Sequence, residues 1–190
     1  MVLNIDEVRA ILRNLPNLAN RAFFTLVYAC GLRLGEALNL SVADVDGVRK
    51  CIHVHCGKGA KDRYVPVAES ALSLLREYYK IHRNPRLIFP APGRSGQGAA
   101  TADHAVSETT VHGALRRTLS RLGIRKQVCV HTFRHSYATH MIEAGVPVRH
   151  VQECLGHESL ASTMIYLHIT SHGKEDSRRR MDHLMRGVLS

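Results

Sequence analysis

The sequence predicts a mainly α-helical fold with one small antiparallel β-sheet, an α+β class. Three observations carry that expectation. Apolar residues recur at three- and four-residue spacing along most of the chain, as on one face of a helix. The period drops to two only once, over residues 50–56 (KCIHVHC), the alternation of a half-buried strand. No internal repeat is present, which excludes a solenoid or a propeller.

Taken in order, Asn4 or Asp6 is placed to cap a first helix with Val8, Ile11 and Leu12 on one face, ending before Pro16. Asn17 opens a second helix, with Ala22, Phe23, Leu26, Val27 and Cys30 at helical spacing and Gly31 as its stop. Leu34, Ala37, Leu38 and Leu40 predict a further short helix. In the alternating stretch, Ile52 and Val54 share one side while Cys51, His53 and His55 share the other. The turn GKGAKD (57–62) then leads into RYVPV, so the pair reads as a β-hairpin. Pro66 cannot donate to a ladder, which puts the second strand at an edge or Pro66 near its end. A helix from Glu69 to Ile81 buries Ala71, Leu72, Leu75 and Tyr78.

LIFPAP is a short extended piece, and residues 92–105, rich in Gly, Ala and Ser without periodicity, read as a mobile surface loop. Helix returns from Ser107 to Leu122 along Val111, Leu115 and Leu119, and Gly123 caps it. Another helix covers about Thr132–Ala144 and stops at Gly145. Pro147, suited to a first helical position, starts the next, which ends near Leu155 and Gly156. A third begins at Ser159, and a last amphipathic helix covers about Lys174–Val188 with Met181, Leu184, Met185 and Val188 on its apolar side.

At 190 residues with 45% of them apolar, the chain is long enough for one domain with a real core, and it is not a disordered polymer. Its 26 Lys and Arg against 16 Asp and Glu leave a formal charge of +10. A globular domain this basic usually meets a polyanion, with nucleic acid as the leading candidate. The five cysteines form no CxxC pair; an odd count without a signal peptide points to a reducing cytosol rather than a disulfide scaffold. Apolar stretches are broken by charge well short of a membrane span.

Chemistry concentrates between His131 and Tyr166 (HTFRHSYATHMIEAGVPVRHVQECLGHESLASTMIY). His131 and Arg134 stand three apart, on one face of a helix, spaced to reach a single phosphate. His157 follows in a Gly-His turn, and Tyr166 comes nine residues later. These groups are able to hold a phosphodiester, donate to it and attack it.

Arg33 in GLRLGE, Lys58 in GKGAKDR, His131 and Arg134 in HTFRH, His157 in LGHESL and Tyr166 match, in order and context, the tyrosine recombinases, also called phage integrases. The resemblance runs from about residue 5 to about residue 170. It implies a site-specific recombinase that breaks and rejoins double-stranded DNA through a 3′-phosphotyrosyl link, with Tyr166 as nucleophile and no cofactor or metal. Two guanidiniums, Arg33 and Arg134, would clamp the non-bridging oxygens with bidentate bonds that lysine does not reproduce. Glu36 is placed either to orient Arg33 or to make a plain helix-surface ion pair. His157 would donate to a non-bridging oxygen, and His131 would handle the tyrosine proton or serve in positioning. Lys58 is implied as the acid that protonates the departing 5′ oxygen, with Lys61 as its rival.

Tyr137 falls on the apolar face with Phe133 and Met141, a core position, while Tyr64 flanks the hairpin, to touch DNA or to pack. His53 and His55 beside Cys51 and Cys56 hint at a metal site, but alternation spreads them along one face and no partner pair at zinc spacing follows. No metal ligand is therefore assigned.

The resemblance makes residues 1–170 a catalytic domain. Residues 171–190 become an amphipathic tail, suited equally to docking on a neighbouring protomer in a dimer or tetramer on DNA and to packing on its own core. Members of the family usually carry an N-terminal helical domain that clamps the other side of the DNA; with a first helix starting almost at Met1, the expectation is either an excised catalytic fragment or a naturally short protein. Weak, salt-sensitive DNA binding with little sequence selectivity is the corresponding expectation. A prokaryotic, phage or mobile-element protein of the cytoplasm, associated with the nucleoid and without membrane contact, is the implied setting. Type IB topoisomerases use a similar residue set, and a non-catalytic DNA-binding protein on the same fold is the alternative from another class. No feature supports a metallohydrolase.

Overall fold

A computed structural model describes residues 1–55, 62–93 and 98–156. The helices are α1 (Ile5–Asn14), α2 (Leu18–Cys30), α3 (Leu34–Leu38), α4 (Glu69–His82), α5 (Glu108–Arg121), α6 (Val130–Glu143) and α7 (Val148–Leu155). The strands are β1 (Val45–Asp46), β2 (Cys51–Val54) and β3 (Arg63–Pro66), in one antiparallel sheet of order β1-β2-β3. The α+β class is as predicted. The expected helix from Ser159 and the tail helix 174–188 lie outside the described residues.

Local chemistry sets most boundaries. Asn4, not Asp6, caps α1: its Oδ1 accepts from the Glu7 N–H at 2.8 Å while Glu7 Oε2 accepts from the Asn4 N–H at 2.9 Å. Asn17 caps α2 by accepting from the Asn20 N–H. Pro66 is the last residue of the edge strand β3, where its missing N–H costs no ladder bond.

Two expectations need correction. The sheet has a third strand, β1, preceded by a 3-10 turn over Val42–Asp44; two residues are too few to show a period. Within 92–105, residues 98–105 are not a free loop. Ala99–Thr101 form a 3-10 turn, and the buried Asn84 side chain donates to the Ala99 and Ala102 carbonyls, each at 2.9 Å. A bridge between Pro90 and Ala105 closes the segment.

Helix α2 organises the core, packing on α1, α3, α4 and α6. Phe23 meets Phe24 and Phe89 edge-on at centroid distances of 5.4 and 5.1 Å, and Phe24 reaches Phe133 of α6 at 5.2 Å. A smaller cluster of Tyr137, Ala138, Val151 and Leu155 ties α6 to α7. Tyr137 is a core residue, as its apolar face predicts. Tyr64 is exposed and stacks on His53 across the hairpin, centroids 4.6 Å apart. Among the described residues no helix is long and apolar enough to cross a membrane.

Two left-handed turns, Gly31 after α2 (φ 60°) and Gly156 after α7 (φ 63°), bring the ends of these helices to one place. A Cβ on Gly31 would sit 2.6 Å from Tyr137 Cδ1 and 2.9 Å from Leu155 Cδ2. Gly31→Ala is therefore expected to cost about 2–4 kcal/mol, adding left-handed backbone strain to overpacking. Urea unfolding checks this, and a change below about 1 kcal/mol would show that the turn relaxes freely.

Candidate active site

The turns after α2 and α7 meet over a buried carboxylate. Glu36, in α3, lies at the centre of three arginines drawn from separate parts of the chain. Its Oε1 accepts from Arg33 Nη1 at 2.7 Å and its Oε2 from the Arg33 backbone N–H at 2.8 Å. Arg63, on β3, grips both oxygens in a fork, Nη1 to Oε1 at 3.0 Å and Nη2 to Oε2 at 2.9 Å. Arg134 Nη1 lies 3.9 Å from Oε2. The Glu36 and Arg63 side chains are only 10% and 8% exposed, so theirs is an interior ion pair, whereas the Arg33 partner of the same carboxylate is 40% exposed.

Each arginine also holds backbone. Arg134 Nη1 donates to the Gly31 carbonyl and Nη2 to the Leu155 carbonyl, both at 2.6 Å. Arg63 Nε donates to the Cys154 carbonyl at 2.8 Å, and Arg33 Nη2 to the Gly156 carbonyl at 3.4 Å. The last carbonyls of α2 and α7, which have no partner inside their helices, thus receive charged donors. Arg33 and the stretch leading to position 157 are fixed relative to each other by this network.

Burial by itself would raise the Glu36 pKa. Hydrogen bonds from the Arg63 guanidinium and the Arg33 N–H outweigh it and hold the carboxyl at about 2. A carboxyl depressed on folding stabilises the native state above its ordinary pKa and loses that contribution as pH falls through the folded value. The stability gap between wild type and Glu36→Gln is therefore expected to narrow as pH falls from about 4.5 to about 2. Urea midpoints across that window check it; a gap independent of pH would contradict the ionised hub.

Of the six residues singled out from the sequence, three are described. Arg33 and Arg134 come together at Glu36. Arg33 keeps 40% of its side chain exposed and Arg134 only 3%. His131 stands exposed in the first turn of α6 with its ring 5.8 Å from that of His135. Although His131 and Arg134 share the helix, the boundary between surface and interior runs between them, because α6 buries Thr132, Phe133, Arg134 and all of Ser136–Thr139. Lys58, Lys61, His157 and Tyr166 lie outside the described residues.

Sequence reading missed Arg63 and His135. Nothing local marks Arg63, whose partner is 27 residues away. His135 is part-buried, and burial followed by the nearby His131 lowers its pKa, which favours a neutral imidazole beside the exposed ring.

A mainly helical domain that gathers three arginines on one carboxylate, Arg63 in a fork and Arg33 with part of its side chain exposed, defines a class, a scaffold that concentrates positive charge at the meeting point of its helix ends. Residues 1–172 match the phage integrase family. The chain is 36% identical over 171 residues to a putative integrase/recombinase of Sinorhizobium fredii, covering 90% of this chain and 53% of that one. It is 39% identical over 170 residues to a tyrosine recombinase XerA of Thermococcus onnurineus, covering 88% and 58%. A crystal structure of XerA recombinase superposes with a TM-score of 0.80 at 27% identity, covering 95% of this chain and 65% of that one. XerH bound to its difH substrate before cleavage matches with a TM-score of 0.71 at 26% identity, covering 87% and 49%. The chain belongs to the phage integrase family, the tyrosine recombinases, and spans about half to two thirds of the relatives it matches.

Proposed function

We propose that this chain acts as the catalytic domain, residues 1–170, of a site-specific recombinase or integrase that breaks and rejoins double-stranded DNA through Tyr166. The observation that carries this reading is the gathering of Arg33 and Arg134 on Glu36, from the two segments where the resemblance places a phosphate clamp. The net charge of +10 supports a polyanionic substrate. The similar XerH structures, which are complexes with difH substrate before and after cleavage, support DNA as that substrate.

In this reading the Tyr166 hydroxyl attacks the scissile phosphorus and its proton passes to His131. The bond from phosphorus to the 5′ oxygen breaks, and Lys58 supplies the proton that the leaving oxygen takes up. Arg33, Arg134 and His157 stabilise the charge that builds on the non-bridging oxygens. Religation runs the same steps backwards from a 5′ hydroxyl. The phosphotyrosyl link conserves the energy of the broken ester, so the cycle needs no nucleotide. Residues 171–190 serve as a tail that docks on a neighbouring protomer, in a dimer or tetramer assembled on DNA in the cytoplasm at the nucleoid.

Arg33→Lys tests the clamp without removing its charge. Loss of the forked donor is expected to slow strand cleavage by about 100- to 1000-fold, while DNA affinity, dominated by total charge, changes far less. Single-turnover cleavage of a nicked duplex checks it. An unchanged rate would remove Arg33 from the transition state.

A further inference from the structure

We infer that Asp44, His53 and His55 form a binding site for a divalent transition-metal ion, zinc by the chemistry of its donors, on the outer face of the sheet. Strand alternation turns His53 and His55 away from the core that Ile52 and Val54 enter. The 3-10 turn Val42–Asp44 lies against β2 and delivers the Asp44 carboxylate to the same face. One donor atom from each of the three residues falls within 4.8 Å of the others. His55 Nε2 stands 2.9 Å from Asp44 Oδ1. A tetrahedral zinc ion with bonds of about 2.0–2.1 Å spreads its donors about 3.3 Å apart, so the set has to draw in by no more than about 1.5 Å. Two imidazoles and one carboxylate are the nitrogen and oxygen donors that zinc accepts.

The surroundings hold these donors in place. Asp44 Oδ2 accepts from the Ser41 N–H and hydroxyl, each at 2.8 Å, which leaves Oδ1 directed at His55. Asp62 Oδ2 lies 3.0 Å from His55 Nδ1. A carboxylate accepting from Nδ1–H leaves the Nε2 lone pair for the metal, the arrangement that orients a ligating histidine. The His53 ring is braced by its stack on Tyr64. A hollow of about 200 Å³ is lined by the three residues and also by Glu36. Along the sequence, alternation spreads these histidines on one face and no partner pair at zinc spacing follows. The fold supplies Asp44 from a different element and Asp62 from across the hairpin.

The competing account is a surface ion-pair network in which His55 bridges two aspartates and binds no metal. To decide, the full chain without an affinity tag is stripped with a chelator, titrated calorimetrically with Zn²⁺, and loaded with Co²⁺ for its visible spectrum. One equivalent is expected to bind, raising Tm by about 5–10 °C at a hundredfold excess over Kd. His53→Ala and His55→Gln should each abolish that equivalent, and Asp62→Asn should weaken it about 10- to 100-fold. Should His55→Gln fail to fold, the part-exposed His53→Ala still decides. No uptake, uptake unchanged in a folded histidine variant, or a thiolate-to-cobalt charge-transfer band would each overturn the assignment.

Discussion

Tyr166→Phe is expected to abolish covalent attachment to DNA completely, while binding to the same duplex stays within about twofold. The substitution removes one oxygen, the atom that attacks phosphorus in the proposed mechanism, and keeps the ring. Affinity rests on phosphate contacts spread over a chain of net charge +10, to which a tyrosine hydroxyl adds no charge. The tyrosines nearest the motifs are poor substitutes: Tyr137 is packed between α6 and α7, and burial pushes its hydroxyl pKa far up. Tyr64 is exposed but stacked on His53, on the outer face of the sheet. A denaturing gel with a nicked duplex, paired with an affinity measurement, reads both effects. Adduct persisting in the variant would move the nucleophile elsewhere.

The second large effect concerns a residue outside the predicted set. Arg63→Met is expected to destabilise the protein by about 3–5 kcal/mol, because it leaves the Glu36 carboxylate buried with half its partners removed. For a chain of this length that corresponds to a fall in Tm of roughly 10 °C. The loss includes the Arg63 bond to the Cys154 carbonyl, so the end of α7 should loosen as well. Arg63→Lys restores the charge but not the fork, and should recover only part of the loss. Removing Glu36 and Arg63 together should cost less than the sum of the single changes, since neither partner is then left alone. Additive costs would show that the two side chains do not act as a unit.

How much of this was legible depended on the distance over which each feature is determined. Caps are local: Asn4 with Glu7 and Asn17 with Asn20 can be read from residues three apart. The apolar stripes of α1, α2, α4 and α5 show through for the same reason. Strand β1 is too short to carry a period, and only its pairing of Val45 with Ile52 reveals it. Nothing in spacing sets Arg63 or Asp44 apart, because their partners arrive through the fold. For the same reason spacing could not show Asp44 and Asp62 converging on His53 and His55.

Helix α6 shows a different limit. Spacing alone puts His131 and Arg134 on one face, but α6 is enclosed around most of its circumference by α2 and α7. Three residues of rotation then separate an exposed imidazole from a buried guanidinium. The motif identified both residues, whereas only packing shows that Arg134 anchors the Gly31 and Leu155 carbonyls.

The central claim is that this chain cuts DNA by making a phosphotyrosine. Incubating the wild-type chain with nicked suicide duplexes, digesting the product and locating the nucleotide-bearing peptide by mass spectrometry tests it most directly. The account predicts one modified residue, Tyr166, joined to a 3′ phosphate. A nucleotide on any other side chain, or a 5′ linkage, would contradict it.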